Sequence, residues 1–297
     1  MSERTSKLCS LPDLVAQIPD GCRVAIGGFA VYQKPMAAVR EIIRQGKKHL
    51  TIVGAVHSLD VDMLVGAGCV DRVETSYVGL ERYGLAPNFR RAVQSGAVTL
   101  VSYPEMLAWD RFRADREGWP FWPCYSLGGC ESILNNPDIV AYTCPVSGRK
   151  AWALPAAKPD VVLIHGYQGD RYGNVRLQPH SMLPQAMDVD MARSCAAVLV
   201  TLEELVSNEE IRSTPERTQI PALRVRSAAV VPHGSHPLST LLKCNEDEAH
   251  MRLYAEAAKT PEGFRSYLDT YVYGTETEGQ YLDLIGGDTL RKLEVDE

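Results

Sequence analysis

The chain has 297 residues, 45% apolar and 23% charged, enough to bury a sizeable core as ordinary globular proteins do. Its net charge of −6, with basic residues scattered, argues against a nucleic-acid footprint and against attraction to anionic membranes. No apolar run reaches the roughly 18–20 residues of a bilayer span, and the opening MSERTSKLCS is too polar for a signal peptide, so a cytoplasmic protein is expected. The eight cysteines form no CxxC pair and no metal-finger spacing, and read as reduced, buried small hydrophobes.

In chain order, Val24–Ile26 reads as a strand and Pro35–Gln45 as a helix, with proline near its first position and Gly46 as its stop. Leu50–Val56 is the next strand, after which Ser58 suits the cap of a helix running through Gly66. Val70–Tyr77 follows as a strand and Pro87–Ser95 as a basic amphipathic helix ended by Gly96. Val98–Tyr103 is a strand and Pro104–Glu117 a helix, with Pro104 at its first position. Gly118–Asn136, rich in Trp, Pro and Gly, reads as irregular. Strands resume at Asp138–Tyr142 and Asp160–His165, followed by a helix at Leu183–Cys195 and strands at Ala197–Thr201 and Val225–Pro232. Continuously apolar strands alternating with helices predict an α/β fold with an open, mostly parallel sheet flanked by helices. From about Asn245 the chain turns helical and polar, so residues 245–297 are expected as a helical appendage packed outside the sheet of a single domain.

The stretch Asp20–Pro35, DGCRVAIGGFAVYQKP, runs a buried strand into Gly27-Gly28-Phe29. A dinucleotide fingerprint needs a third glycine opening a helix, and a phosphate-cradling P-loop needs Gly-Lys-Ser/Thr; neither is present. Two readings stand: a tight turn in which glycine supplies positive φ, or bare backbone that lets a ligand approach and offers N–H groups to a carbonyl oxygen.

The same residues resemble the N-terminal signature of family I CoA-transferase α subunits, matched from Asp20 to Pro35 except that Gln33 stands where the family usually has glycine. Val61–Val93, Thr143–Val175 and Val230–Pro237 are similar to the glutaconate CoA-transferase branch. The resemblance implies the CoA-transferase (NagB/RpiA-like) fold, an acyl-CoA substrate with no separate cofactor, and a homologous β subunit, as in an α2β2 heterotetramer. Family transferases form a glutamyl-CoA thioester on the second half, and its Ser-Glu-Asn-Gly motif is missing from this chain. Within the family the chain looks most like the α subunit of actinobacterial hydrolases that open the last steroid ring in cholesterol catabolism, which use a glutamate of that subunit as base. In SYPEML that residue is Glu105, the expected catalytic group. The alternative is a glutaconate-type transferase.

On the residues alone, Glu105 is also a plain first-turn acid favourable to the helix dipole. Gly27, Gly28, Phe29 and Gln33 are expected to bind the acyl part of the substrate. So are Ser126, Gly128, Gly129 and Cys130 in WPFWPCYSLGGCESILNN, where Tyr125-Ser126 and Gly129-Cys130 replace the family's Arg-Gly and Gly-Thr. His233 and His236 lack a third ligand, so no metal site is expected. His165 is read as a satisfied core histidine, and Arg90-Arg91 as a solvated helix face rather than a CoA-phosphate contact.

Overall fold

The structure, a computed structural model, describes residues 5–125, 135–178 and 183–295. Helix α1 (Leu11–Ala16) precedes β1 (Arg23–Ile26), α2 (Met36–Arg44), β2 (Leu50–Val53) and the two-residue β3 (Val56–His57). Then come α3 (Leu59–Gly66), β4 (Val70–Thr75), β5 (Tyr77–Val78), α4 (Pro87–Ser95), β6 (Thr99–Ser102) and α5 (Glu105–Arg116). After β7 (Phe121–Cys124), β8 (Val140–Thr143) and β9 (Lys150–Pro155), the chain forms β10 (Val161–Gly169), β11 (Val175–Arg176), α6 (Leu183–Ser194), β12 (Val198–Leu205), α7 (Asn208–Ser213) and β13 (Val225–Val230). It ends in α8 (Glu248–Ala257), α9 (Pro261–Leu268), α10 (Glu278–Ile285) and α11 (Gly287–Leu293).

The main sheet has the order β13-β12-β10-β1-β2-β4-β6, all parallel, with β11 folded back antiparallel on β10. Ala25 at its centre sits between Val162 of β10 and Val53 of β2. Val24, Ile26, Ile52, Val162, Ile164 and Val200 are inaccessible to solvent, as strands covered by helices on both faces require. From β1 the chain builds outward through β2, β4 and β6, then returns to β1's other side with β10, β12 and β13. The point where strand order reverses lies between β1 and β10, and open α/β sheets keep their ligand crevice outside the carboxyl ends of strands at that point.

Several expectations need correction. The strand expected at Asp138–Tyr142 is β8, which lies outside the parallel sheet in a small antiparallel sheet ordered β7-β9-β8. Residues Phe121–Cys124, read as irregular, are a strand of that sheet; Pro123 is tolerated because β7 is its edge. Ser58 precedes α3 but makes no side-chain cap; Asp60 instead accepts the Ser58 N–H at 2.7 Å. Pro35 and Pro104 are N-caps rather than first helical residues.

The C-terminal helices are anchored to the rest of the fold by buried polar contacts. Arg40 of α2, 1% exposed, pairs with Glu278 of α10, donates to His236 O at 2.8 Å and lies 3.7 Å over the Tyr281 ring. Asp62 of α3 accepts from Tyr254 Oη at 2.6 Å and from the Phe89 N–H at 2.8 Å. Replacing one partner of a buried pair strands the other charge, which costs about 3–5 kcal/mol. Glu278→Ala is therefore expected to lower unfolding free energy by about that amount, and Glu278→Gln by less, as read in denaturant melts. Equal melts for Glu278→Ala and the parent chain would refute the anchoring role.

Candidate active site

The loop after β1 carries three left-handed residues within six positions: Gly28 (φ +76), Ala30 (φ 50) and Gln33 (φ 56). Phe29 and Tyr32 close it into a tight turn, each donating its N–H to the other's carbonyl at 2.9 and 2.8 Å. Left-handed backbone costs a non-glycine residue about 1–2 kcal/mol, and Gln33 offsets that with its side chain. Its Nε2 donates to His165 O at 3.1 Å and Leu177 O at 2.6 Å, and its Oε1 accepts from Gln178 Nε2 at 2.5 Å. The family signature has glycine at this position, and the left-handed φ supplies the reason. Gln33, expected to face the acyl group, is 2% exposed with its amide turned into the protein, where it anchors the loop to β10.

Both glycines are explained by the loop's own packing. A Cβ on Gly27 would stand 2.7 Å from Asp188 Oδ1 and 3.1 Å from Ile164. On Gly28 it would stand 2.6 Å from the carbonyl oxygens of Tyr32 and Gln33. The glycine N–H groups, expected to serve a substrate carbonyl, are engaged within the protein. Gly27 donates to Leu163 O at 2.8 Å, Gly28 to Asp188 Oδ1 at 2.8 Å and Phe29 to Tyr32 O. Half-buried Phe29 and exposed Tyr32 form the loop's outer surface.

Beneath the loop lies a buried charge cluster that pattern reading missed. Lys34 Nζ donates to Gly28 O at 3.2 Å and Val56 O at 2.8 Å, and stands 3.4 Å from Asp60 Oδ2. His57 Nδ1 lies 2.7 Å from the same carboxylate oxygen, while its Nε2, against Gly54, finds no partner among the described residues. A neutral ring with its proton on Nδ1, donating to Asp60, satisfies both observations. Burial drives Lys34 and His57 below their ordinary values, and it would raise Asp60, but Lys34 and His57 outweigh it and hold Asp60 far below the carboxylate range. Asp188, on α6, is pushed by burial up to about 7, against the pull of the Gly28 N–H and Lys34. His57 and Asp60 stand three residues apart, but Lys34 and Asp188 are distant from them in the chain, so no short window marks the whole cluster in the sequence.

Glu105 is the first residue of α5, exposed at the carboxyl end of β6, and its side chain makes no hydrogen bond or ion pair among the described residues. It shares the carboxyl edge of the sheet with the loop. Three inter-strand spacings of about 4.8 Å put β6 about 14 Å from β1. Helix α5 is held down by Arg111, which donates to Glu74 of β4 at 2.7 Å and to Pro155 O at 2.9 Å. Burial would raise Glu74, but Arg23 and Arg111 bring it down to about 2. Asp190 of α6 accepts from Trp109 Nε1 of α5 at 2.7 Å and from Arg116 at 2.5 Å, so the helices bearing Glu105 and Asp188 are tied together.

The remaining expected residues fall elsewhere. Ser126, Gly128, Gly129 and Cys130 lie outside the described residues. His165 is buried, with Thr201 Oγ1 and Glu203 Oε1 each 2.8 Å from its ring nitrogens. His236 is bound to Tyr281 at 2.7 Å and Asp247 at 3.2 Å, whereas His233 Nδ1 faces Cys244 at 3.4 Å, so the two rings do not converge. Arg91 ties α4 to the Ala258 and Lys259 carbonyls at 2.8 and 3.1 Å, and Arg90 is exposed. A cleft of about 1170 Å³ lined by Gly66, Arg91 and Phe264 lies at the C-terminal end of α3, away from the carboxyl edge where the loop and Glu105 stand.

With this geometry in view, comparison with known proteins is decisive at the family level: residues 10–229 match the model of the coenzyme A transferase family. The chain belongs to that family. A glutaconate CoA-transferase subunit of Acidaminococcus fermentans is 30% identical, covering 98% of this chain and 95% of that protein. The crystal structure of glutaconate coenzyme A-transferase from that organism superposes with a TM-score of 0.93 at 29% identity, over 98% of this chain and 96% of that one. The cholesterol ring-cleaving hydrolase IpdA subunit of Rhodococcus jostii is 29% identical over 94% of this chain and 96% of its own. An uncharacterized protein of Archaeoglobus fulgidus is 36% identical over 98% of this chain, which spans 66% of that relative's length. Among the described residues no helix is long and apolar enough to cross a membrane.

Packing around the coenzyme A transferase loop sets what each glycine tolerates. Gly21 has the same left-handed φ (+75) with open space around it, so Gly21→Ala should cost only the conformational term, about 1 kcal/mol. Gly28→Ala adds the carbonyl clash and should cost at least about 3 kcal/mol. Equal losses in denaturant melts would rule out the packing explanation.

Proposed function

We propose that this chain is the α subunit of a heteromeric CoA-thioester hydrolase that opens the last steroid ring by C–C bond hydrolysis, with Glu105 as general base. It would act with a homologous β subunit, as an α2β2 heterotetramer. The observation that carries the reading is Glu105 itself: an exposed carboxylate without a protein partner among the described residues, at the carboxyl edge that also holds the family's signature loop. The similarity to ring-cleaving hydrolase subunits supports it.

In this reading the acyl part lies over Phe29, Ser126, Gly128, Gly129 and Cys130 are proposed contacts to it, and the CoA moiety belongs to the substrate. Glu105 takes a proton from water as its oxygen adds to a ring ketone. The adduct collapses with cleavage of the ring C–C bond, leaving a carboxylic acid and a thioester enolate, which is protonated at carbon. The Glu105 carboxyl returns the proton, so the net change is addition of one water. A positioned base of this kind is worth about 10²–10⁴-fold.

The similarity to the glutaconate CoA-transferase of Acidaminococcus fermentans favours a second reading, in which this chain shapes a transferase site whose glutamyl-CoA forms on the β subunit. One comparison separates them in the complex with the β subunit. Glu105→Gln should lower ring-opening turnover at least about 10²-fold with its melting temperature unchanged, and hydroxylamine should trap no CoA adduct on the partner. Full activity in that variant removes Glu105 from the chemistry. A trapped glutamyl-CoA on the β subunit installs the transferase instead.

A further inference from the structure

We infer that Asp188 and Lys34 are positioning residues which grip the Gly28 backbone from below and set the orientation of the loop on which the acyl group rests. The inference builds on the acyl-CoA reading of this loop. Asp188 Oδ1 accepts the Gly28 N–H at 2.8 Å, while Lys34 Nζ donates to the Gly28 carbonyl at 3.2 Å, so successive peptide groups are held from opposite partners. Lys34 is itself fixed by Val56 O at 2.8 Å and by Asp60 at 3.4 Å, and Asp60 by His57 at 2.7 Å and the Ser58 N–H at 2.7 Å. The grip therefore joins α6, the loop after β1, β3 and α3 in one chain of contacts, none of whose side chains is more than 2% exposed.

Merely satisfying the Gly28 N–H does not require a carboxyl group. A neutral acceptor, such as a backbone carbonyl or an amide, would do so without the desolvation of a second anion beside the Lys34–Asp60 pair. With Lys34 charged, Asp60 ionised and His57 neutral, the cluster is balanced only when Asp188 holds its proton. Lys34 is the charged group that bears on Asp188 among the described residues, and Ile164 packs Gly27 from β10. Ionised Asp188 accepts a charge-assisted bond from Gly28, stronger than the bond to its protonated form. The grip tightens as pH rises through about 7. Stability moves the other way. A carboxyl raised from its ordinary value by folding contributes stability that is fully present below that ordinary value and is lost as pH rises through about 7.

The test uses the complex with its β partner and two probes, glutaryl-CoA with acetate as acceptor and a cyclic β-keto acyl-CoA. With whichever probe the parent complex turns over, kcat should rise through an apparent pKa near 7. Asp188→Asn should be flat through that range, with kcat down about 10–100-fold and KM within about twofold. Asp188→Ala should lose more, so that asparagine partly rescues it. At pH 8 Asp188→Asn should melt at or above the parent temperature, an outcome a purely structural residue would not produce. Parent-like kcat and an intact neutral inflection in Asp188→Asn overturn the grip alone. A parent complex inert to both probes overturns the acyl-CoA reading and the grip with it.

Discussion

The parallel pairing of β1 with β10 is the constraint on which this molecule depends. Val24, Ala25 and Ile26 lie against Val161, Val162 and Leu163, segments separated by well over a hundred residues. Because the sheet grows away from this pair in both directions, the chain must leave β1 on one side and arrive at β10 on the other. The crevice at their carboxyl ends stays free of a crossover helix. The Gly27-Gly28-Phe29 turn fills that crevice, and its geometry follows from its neighbours. Gly27 has no room for a side chain because Asp188 and Ile164 already occupy it. Gln33 can hold a left-handed φ because β10 and the Leu177–Gln178 segment offer partners for its amide.

Buried charge connects this crevice to the rest of the fold. Glu74 on β4 takes Arg23 from β1, Arg72 from its own strand and Arg111 from α5, which clamps α5 over the sheet between β1 and β6. Arg40 and Glu278 do the same for the C-terminal helices. Lys34, Asp60 and His57 do so for the loop itself. Removing Glu74, Glu278 or Asp60 takes the carboxylate from a buried Arg111, Arg40 or Lys34, so these pairs fix geometry more than they add net stability. The helix carrying Glu105 and the helix carrying Asp188 are located relative to the sheet by such contacts, and relative to each other through Asp190.

Much of this was legible in the sequence because parallel strands buried on both faces read as plain apolar runs. VAI, LTIV, VVLIH and VLVT announce β1, β2, β10 and β12 with little competition from other patterns. The small antiparallel sheet was less visible. FWPC contains a proline and lacks the apolar continuity that marks a strand, whereas the run around VAYT reads as a strand but carries no sign that it leaves the parallel sheet for an antiparallel one. The C-terminal segment looked polar because many of its buried side chains are polar-tipped rings: Tyr254 bonds Asp62, Tyr267 bonds His250 and Tyr281 bonds His236, while the ring bodies pack. The site divided along the same line. The glycine loop stands out by local pattern and Glu105 was singled out through the family resemblance, whereas Lys34, Asp60 and Asp188 meet only because α3 and α6 descend on opposite sides of β1. No short window contains that convergence.

The distance between the two legible features bears on the chemistry. A loop at the centre of the sheet and a carboxylate at the end of its outer strand, about 14 Å apart by strand spacing, cannot both touch a small acyl group. A ligand that meets both must lie along the carboxyl edge, crossing the ends of β2 and β4. Where ring cleavage leaves a thioester enolate, the ring ketone lies beside the thioester, so the span between Glu105 and the loop would be taken up by the CoA arm and the rest of the acyl group together. A short dicarboxylic acid would occupy the loop end alone and would need its reacting group supplied from outside this chain. The two readings therefore differ in where along the carboxyl edge the reacting carbonyl would lie, at Glu105 or at a carboxylate supplied by the partner.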